Sequence, residues 1–137
     1  MRVLRRHIAA LGSVVLCALA LAAPAVAEIF VGSDTEILVF ADDASGDVVP
    51  LRKISGVLTE LPAVFTMAAD RVHRELWVSG CLGVPAILVF GMDDEGDVTP
   101  RRRITGASTG LVNACATILD LVHDEVYVCL LYTSRCV

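Results

Sequence analysis

Charge, aromatic rings and proline are all scarce in this chain of 137 residues. Charged side chains make up 20% and aromatics 5%, with five prolines and ten glycines. So little Pro and Gly excludes a collagen-like or low-complexity chain. Hydrophobic residues at 55% exclude intrinsic disorder, which goes with low hydrophobicity and high net charge. A net charge of −5 leaves no electrostatic footprint for nucleic acid or for an anionic lipid surface. Motifs of chemistry are missing as well. There is no Cys-x-x-Cys pair, no Gly-x-Ser-x-Gly elbow, no phosphate-binding loop and no dinucleotide fingerprint. What remains is an apolar chain long enough for one domain, or for a secretion signal and something smaller.

The first 27 residues read as that signal, in helical form. Arg2, Arg5 and Arg6 make a cationic start, Ile8 to Ala23 carries no charge, and Ala25-Val26-Ala27 is the small-x-small pattern of a cleavage site. Pro24 ends the helix just before that site. A membrane anchor is the rival reading, because the apolar run approaches spanning length. Leu16 before Cys17 departs from a lipidation box, and Arg5-Arg6 is a weak match to a twin-arginine signal, so general secretion is the expectation. Cleavage after Ala27 removes three arginines and no acid, leaving an acidic protein, secreted or periplasmic, with no further tie to the membrane.

Behind the signal the chain repeats itself. Ile37-Leu38-Val39-Phe40 returns as Ile87-Leu88-Val89-Phe90, and Gly46-Asp47-Val48 as Gly96-Asp97-Val98. Pro50, Arg52, Ile54 and Gly56 return at Pro100, Arg102, Ile104 and Gly106. Asp70, Val72, His73, Glu75 and Val78 return at Asp120, Val122, His123, Glu125 and Val128. The offset is 50 throughout, with 19 identities over the 42 positions from Ile37 to Val78. A further partial copy precedes these, since Glu28-Ile29-Phe30-Val31 matches Glu75-Leu76-Trp77-Val78.

Within each unit, short apolar or alternating runs are separated by turn signals, which predicts strands at Val64 to Ala69, Glu75 to Ser79, Ala86 to Phe90 and Arg101 to Thr105. Gly46 and Gly96 are expected at positive φ in the turns. Four strands in about fifty residues is the size of a propeller blade. The expected fold is therefore all-β, with four-stranded antiparallel blades: strands of one incomplete blade from residue 28, then repeats at 37–86 and 87–128.

The pattern Ile-x-Val-Phe, Gly-Asp-Val-x-Pro-x-Arg-x-Ile-x-Gly, then Asp-x-Val-His-x-Glu-Leu-Trp-Val resembles the bacterial NHL-type β-propeller repeat, from Glu28 to Val128. The resemblance implies a fold and little about function, because propellers host binding, structural and enzymatic roles alike. Two blades fall short of the four to eight that close a propeller, so a piece of a longer protein, marginal or aggregation-prone alone, is expected. Back-translation of Cys129 to Val137 resembles the mosaic end of a sequencing transposon, and residues 129–137 are read as a library-derived tail. The rival reading is an ordinary last strand.

Several residues invite a chemical reading. His73 and His123, each beside an Asp and a Glu, suit a ligand site. They suit equally a hairpin turn in which His takes a left-handed backbone and Asp binds nearby amides, and their repetition favours the turn. Asp93, Asp94, Glu95 and Asp97 offer oxygens to a hard cation but lack EF-hand spacing, so a solvated acidic turn is expected and no cofactor or metal. Arg101-Arg102-Arg103 is read as charge protecting an outer edge strand. Phe30, Trp77 and Tyr127 share one repeat position and are read as packing between blades. Cys81 and Cys115 are the cysteines outside the signal and the tail. They stand either as two small buried thiols or, since both are expected at one rim of adjacent blades, as a disulfide.

No catalytic residue is assigned. The leading expectation is a non-catalytic binding or structural module with an unknown ligand or protein partner. The alternative is a propeller hydrolase of the lactonase type. For that chemistry the channel-side strands, Val64 to Ala69 and Ala114 to Leu119, are almost wholly apolar, and Asn113 is their one polar candidate.

Overall fold

Nine antiparallel strands and one short 3-10 turn, Ala107–Thr109, account for the regular structure of residues 27–82 and 85–131, which the computed structural model describes. Residues 1–26 of the signal segment and the end of the chain from residue 132 lie outside the described residues, as does the side chain of Cys81.

The strands are β1 (Glu28–Ser33), β2 (Glu36–Ala41), β3 (Arg52–Ser55), β4 (Ala63–Asp70), β5 (Glu75–Leu82), β6 (Ala86–Gly91), β7 (Arg102–Thr105), β8 (Ala114–Asp120) and β9 (Glu125–Leu130). The four strands expected within one unit are β4 to β7, with ends that coincide or differ by up to three residues. They pair in simple meanders as three sheets: β1-β2-β3, β4-β5-β6-β7 and β8-β9. Strand roles follow the repeat, so that β1, β5 and β9 are equivalent, as are β2 and β6, and β3 and β7. The repeat and the sheets differ in phase: residues 37–86 take their first two strands from one sheet and their next two from the following one.

Hairpin chemistry explains the pairing. Ser33 pairs with Glu36 across the two-residue turn Asp34-Thr35, with Asp34 at φ 51°. Four residues join β4 to β5, and Asp70 organises them. One carboxylate oxygen accepts the amides of Val72 and His73, both at 2.9 Å, while the other meets His73 Nδ1 at 2.7 Å. Asp120 and His123 repeat the arrangement between β8 and β9. The left-handed residues are Arg74 and Asp124, one position after the expected histidines. The histidine amides are held by the aspartates, so the reversal falls on the last turn residue before the next strand. Gly46 and Gly96 take φ of 76° and 77°, as expected.

The core lies between the first and middle sheets. Ile37 and Ile54 from the first meet Leu76, Val78, Leu88 and Phe90 from the middle, and every residue of β6 is buried. Full burial of each such side chain stabilises by about 1.5–3 kcal/mol. The middle and last sheets meet through β4, β5 and β8, where the Ser79 hydroxyl joins Thr66 at 2.8 Å and Thr117 at 3.0 Å.

Burial alone raises the Asp70 carboxyl, but the His73 amide, the His73 ring and the Val72 amide together hold it below its ordinary 3.8. The same hydrogen bond, with the aspartate charge, raises the His73 imidazole above 6.5. A depressed acid stabilises above its unfolded value and loses that contribution as pH falls through its folded one; a raised base stabilises below its unfolded value and loses it as pH rises through its folded one. Asp70→Ala is therefore expected to lower stability by about 1–3 kcal/mol through the lost acceptor. Thermal unfolding should show the largest gap from the wild type between about pH 4 and 6, with the gap narrowing on both sides.

Candidate functional site

The densest polar structure is a clasp at the seam between the first and middle sheets. Arg52 on β3 donates to both carboxylate oxygens of Glu28 at 2.5 and 2.7 Å, lies 5.9 Å from the Phe30 ring centre, and donates to the Met92 carbonyl of the middle sheet at 2.6 Å. A planar guanidinium suits this fork, whereas an ammonium presents one point of charge. The hydrogen bonds from Arg52 hold the Glu28 carboxyl below its ordinary value against the opposing effect of burial. Arg52 Nε is buried without a hydrogen-bond partner.

The turn that supplies the Met92 carbonyl also locks onto β3. Gly96 donates to the Lys53 carbonyl at 2.7 Å, Ser55 donates to the Gly96 carbonyl at 3.1 Å, and the Leu58 amide donates to Asp97 Oδ1 at 2.7 Å. Gly56, at φ 137°, approaches Asp97 so closely that a Cβ there would collide with the carboxylate. The first sheet is thus stitched to the middle one by main-chain bonds, by the Arg52 hydrogen bond to the Met92 carbonyl and by the Leu58 amide on the Asp97 carboxylate.

The repeat builds the same clasp again on the middle sheet. Arg102 on β7 donates to Glu75 at 2.5 Å and lies 4.9 Å from the Trp77 ring centre. Here the face is open. The Arg102 side chain is 53% exposed against 14% for Arg52, and Ile104 is 44% exposed against 0% for Ile54. A groove of about 350 Å³ adjoins this clasp, lined by Asp70, His73, Glu75, Trp77 and Arg102 on one side and by β8, β9 and the turn between them on the other. Trp77 Nε1 is buried without a hydrogen-bond partner.

The structure distributes the sequence candidates unevenly. His73 lines the groove; His123, in the equivalent turn of the last sheet, does not. The acidic run is spread over separate partners: Asp93 pairs with Arg74 at 2.6 Å, Asp94 accepts the Gly91 amide at 2.6 Å, and Asp97 holds Leu58 across the seam. Among the described residues no three His, Cys, Asp or Glu side chains gather in a metal-ligating group. β7 is an edge strand of the described sheet, yet the arginines on it and just before it are engaged: Arg101 with Asp94, Arg102 with Glu75 and Arg103 with Glu60. The shared aromatic position divides in role. Phe30 and Trp77 lie beneath an arginine of their own sheet, whereas Tyr127 is exposed and its hydroxyl meets Glu125. Asn113, at φ 49°, donates to the Leu131 carbonyl at 3.3 Å and so fastens the start of β8 to the end of β9.

Cys115 sits at a register shift between Ala114 and Ala116 and is disulfide-bonded, with Sγ 3.1 Å from the Asn113 carbonyl oxygen. Ser79 and Thr117, each two residues from one of the cysteines of the expected pair, are hydrogen-bonded across the seam.

Sequence reading missed the clasp, because its members lie 24 residues apart in Glu28 and Arg52 and its third partner is a main-chain carbonyl. The available signal was the joint recurrence of Glu, an aromatic two residues later, and Arg: Glu28, Phe30 and Arg52, then Glu75, Trp77 and Arg102.

Two outcomes are expected. Arg52→Ala lowers unfolding stability by about 2 kcal/mol, since it strands a part-buried carboxylate and carbonyl, while Arg102→Ala costs at most about 1 kcal/mol; chemical denaturation of the two variants compares them. Non-reducing peptide mapping joins Cys115 to Cys81, a loop worth about 3–4 kcal/mol by chain entropy. A cross-linked peptide joining Cys115 to another cysteine refutes that pairing.

No protein-family model, curated protein or solved structure matches this chain.

Proposed function

We propose that the chain is part of an exported bacterial β-propeller with NHL-type repeats, acting as a binding or structural module. One observation carries the reading: the polar groups that recur from unit to unit are used to build sheets and join them. Asp70 and Asp120 organise turns, Arg52 and Arg102 clamp carboxylates over aromatic rings, and the Gly96-Asp97 turn locks one sheet to the next. Side chains spent in this way support a scaffold, and recognition then falls to the connecting turns displayed at its rims. An unknown ligand or protein is the partner on this reading, with nucleic acid disfavoured by the acidic charge. Secretion or a periplasmic location rests on the amino-terminal sequence.

Expression with the native amino terminus tests both parts. The exported product is expected to begin at Glu28 by intact mass, and purified material is expected to hydrolyse sugar lactones no faster than buffer. A retained Met1 in the membrane fraction overturns export, and lactone turnover abolished by Asn113→Ala overturns the non-catalytic reading in favour of a lactonase.

A further inference from the structure

The first seam and the expected signal cleavage meet at one peptide bond. The cleavage pattern ends at Ala27 and β1 begins at Glu28, so no linker separates the signal from the first strand. Glu28 pairs with Ala41 of β2, and its carboxylate accepts from both terminal nitrogens of Arg52 at 2.5 and 2.7 Å. Only 19% of that side chain is exposed. Arg52 is bound in turn to the Met92 carbonyl and lies against Phe30, two residues further along β1. The residue after the scissile bond is therefore held by β2, by β3 and, through Arg52, by the turn after β6.

Peptidases cut where the chain is accessible and free on both sides of the bond, which is why nicks concentrate in loop tips and loose termini. A bond that leads straight into a paired strand meets this need only while the strand is open. Its cutting then follows the open fraction. Opening the start of β1 breaks the pairing of Glu28 with Ala41 and takes two acceptors from Arg52, whose Nε is already without a partner. Leaving a part-buried cation short of acceptors is costly, so the closed form dominates.

We propose that the Glu28–Arg52 clasp locks the Ala27–Glu28 bond: the signal is removed before the first seam closes, and a chain that folds first keeps it. The reaction is a hydrolysis by signal peptidase. The water oxygen joins the Ala27 carbonyl carbon as its bond to the Glu28 nitrogen breaks. Both water protons end on that nitrogen, leaving a carboxylate on Ala27 and an ammonium on Glu28. The clasp also limits how far the chain can be trimmed. Loss of Glu28 itself would leave Arg52 without its carboxylate, so Ala27 is the last residue the seam can spare. The repeat supplies a matched control. Arg102 holds Glu75 as Arg52 holds Glu28, but Glu75 follows an internal hairpin turn and has no part in cleavage.

The inference rests on the export reading of the proposed function, and the experiment separates the two. The full chain from Met1 is mixed with purified signal peptidase in detergent micelles, and intact mass follows the product that begins at Glu28. Chain diluted straight from denaturant is expected to be cut, and chain refolded beforehand to be cut about a hundredfold more slowly. In the refolded state Arg52→Ala speeds cutting about thirtyfold, which is about 2 kcal/mol at 1.4 kcal/mol per tenfold. Arg102→Ala leaves the rate as in the wild type. No cutting from denaturant removes the signal and the lock together. Equal cutting of folded and denatured chain, or equal cutting of folded wild type and Arg52→Ala, removes the lock alone. Amide exchange on the same samples reports whether Leu76 to Phe90 stay protected in each variant. Where Arg52→Ala has lost that protection, Arg52→Lys decides: it keeps the charge and loses the fork, so cutting faster than the wild type supports the lock and an equal rate overturns it.

Discussion

The rest of the structure leans on one interaction: the middle sheet lends its outer turn to the first sheet. Met92 gives Arg52 its third acceptor, and Gly96 and Asp97 close the main-chain bonds of Lys53, Ser55 and Leu58. Ile54 is fully buried as a result, while Ile104, with the same neighbours in its own sheet, is not. The difference is the adjacent turn, because the residue, its cross-strand isoleucine and its strand role are matched at the two positions. Burial at a seam is therefore a property of sheet pairs, as expected of a stacked array whose units contact only their neighbours.

The two seams share a plan and differ in their side chains. Gly32 of the first sheet lies against Val64 and Met67, and a Cβ there would strike the valine. One unit on, Ser79 occupies the Gly32 position and Thr117 the Met67 position, and they bond by their hydroxyls. A small residue opposite a long one becomes two polar residues of middling size, so the two seams are filled by different side chains. These pairings give every sheet a preferred neighbour despite the common backbone plan. That specificity guards against sheets stacking in the wrong order, a hazard for any repetitive chain.

How much of this was legible beforehand follows from the kind of interaction involved. Strands showed in the sequence because the Ile-Leu-Val-Phe runs and the Asp-x-Val-His-x-Glu turns are local patterns, and the repeat showed because identities at a fixed offset need no structure to count. The Asp70 and Asp120 turns were legible as turns, but the left-handed residue was placed one position early, on the histidines. Nothing in the side chains announces which of two neighbouring residues will reverse the backbone. The open groove was invisible because it is made by the relation of β7 to β8 and β9, and because its defining contrast, Arg52 against Arg102, joins the same residue at the same repeat position. Composition and spacing say nothing of which copy is covered.

That same contrast shows how the seam is put together. Among the described residues no sheet lies against the turn of Gly46, whereas that of Gly96 is docked on β3, yet their φ values are 76° and 77°. The receiving side behaves alike. In the docked copy the Thr59 hydroxyl bonds the Gly56 carbonyl at 2.7 Å and accepts the Leu61 amide at 3.4 Å. In the open copy Thr109 does the same with Gly106 and Leu111 at 2.7 and 3.2 Å. Turn and receptor both hold their docked shapes without the partner. Docking therefore orders mainly side chains such as the arginine of the clasp, and the backbone entropy that usually opposes association has already been lost within each unit. A seam made of preformed halves can close between sheets that are far apart in the chain, because shape rather than sequence distance brings them together.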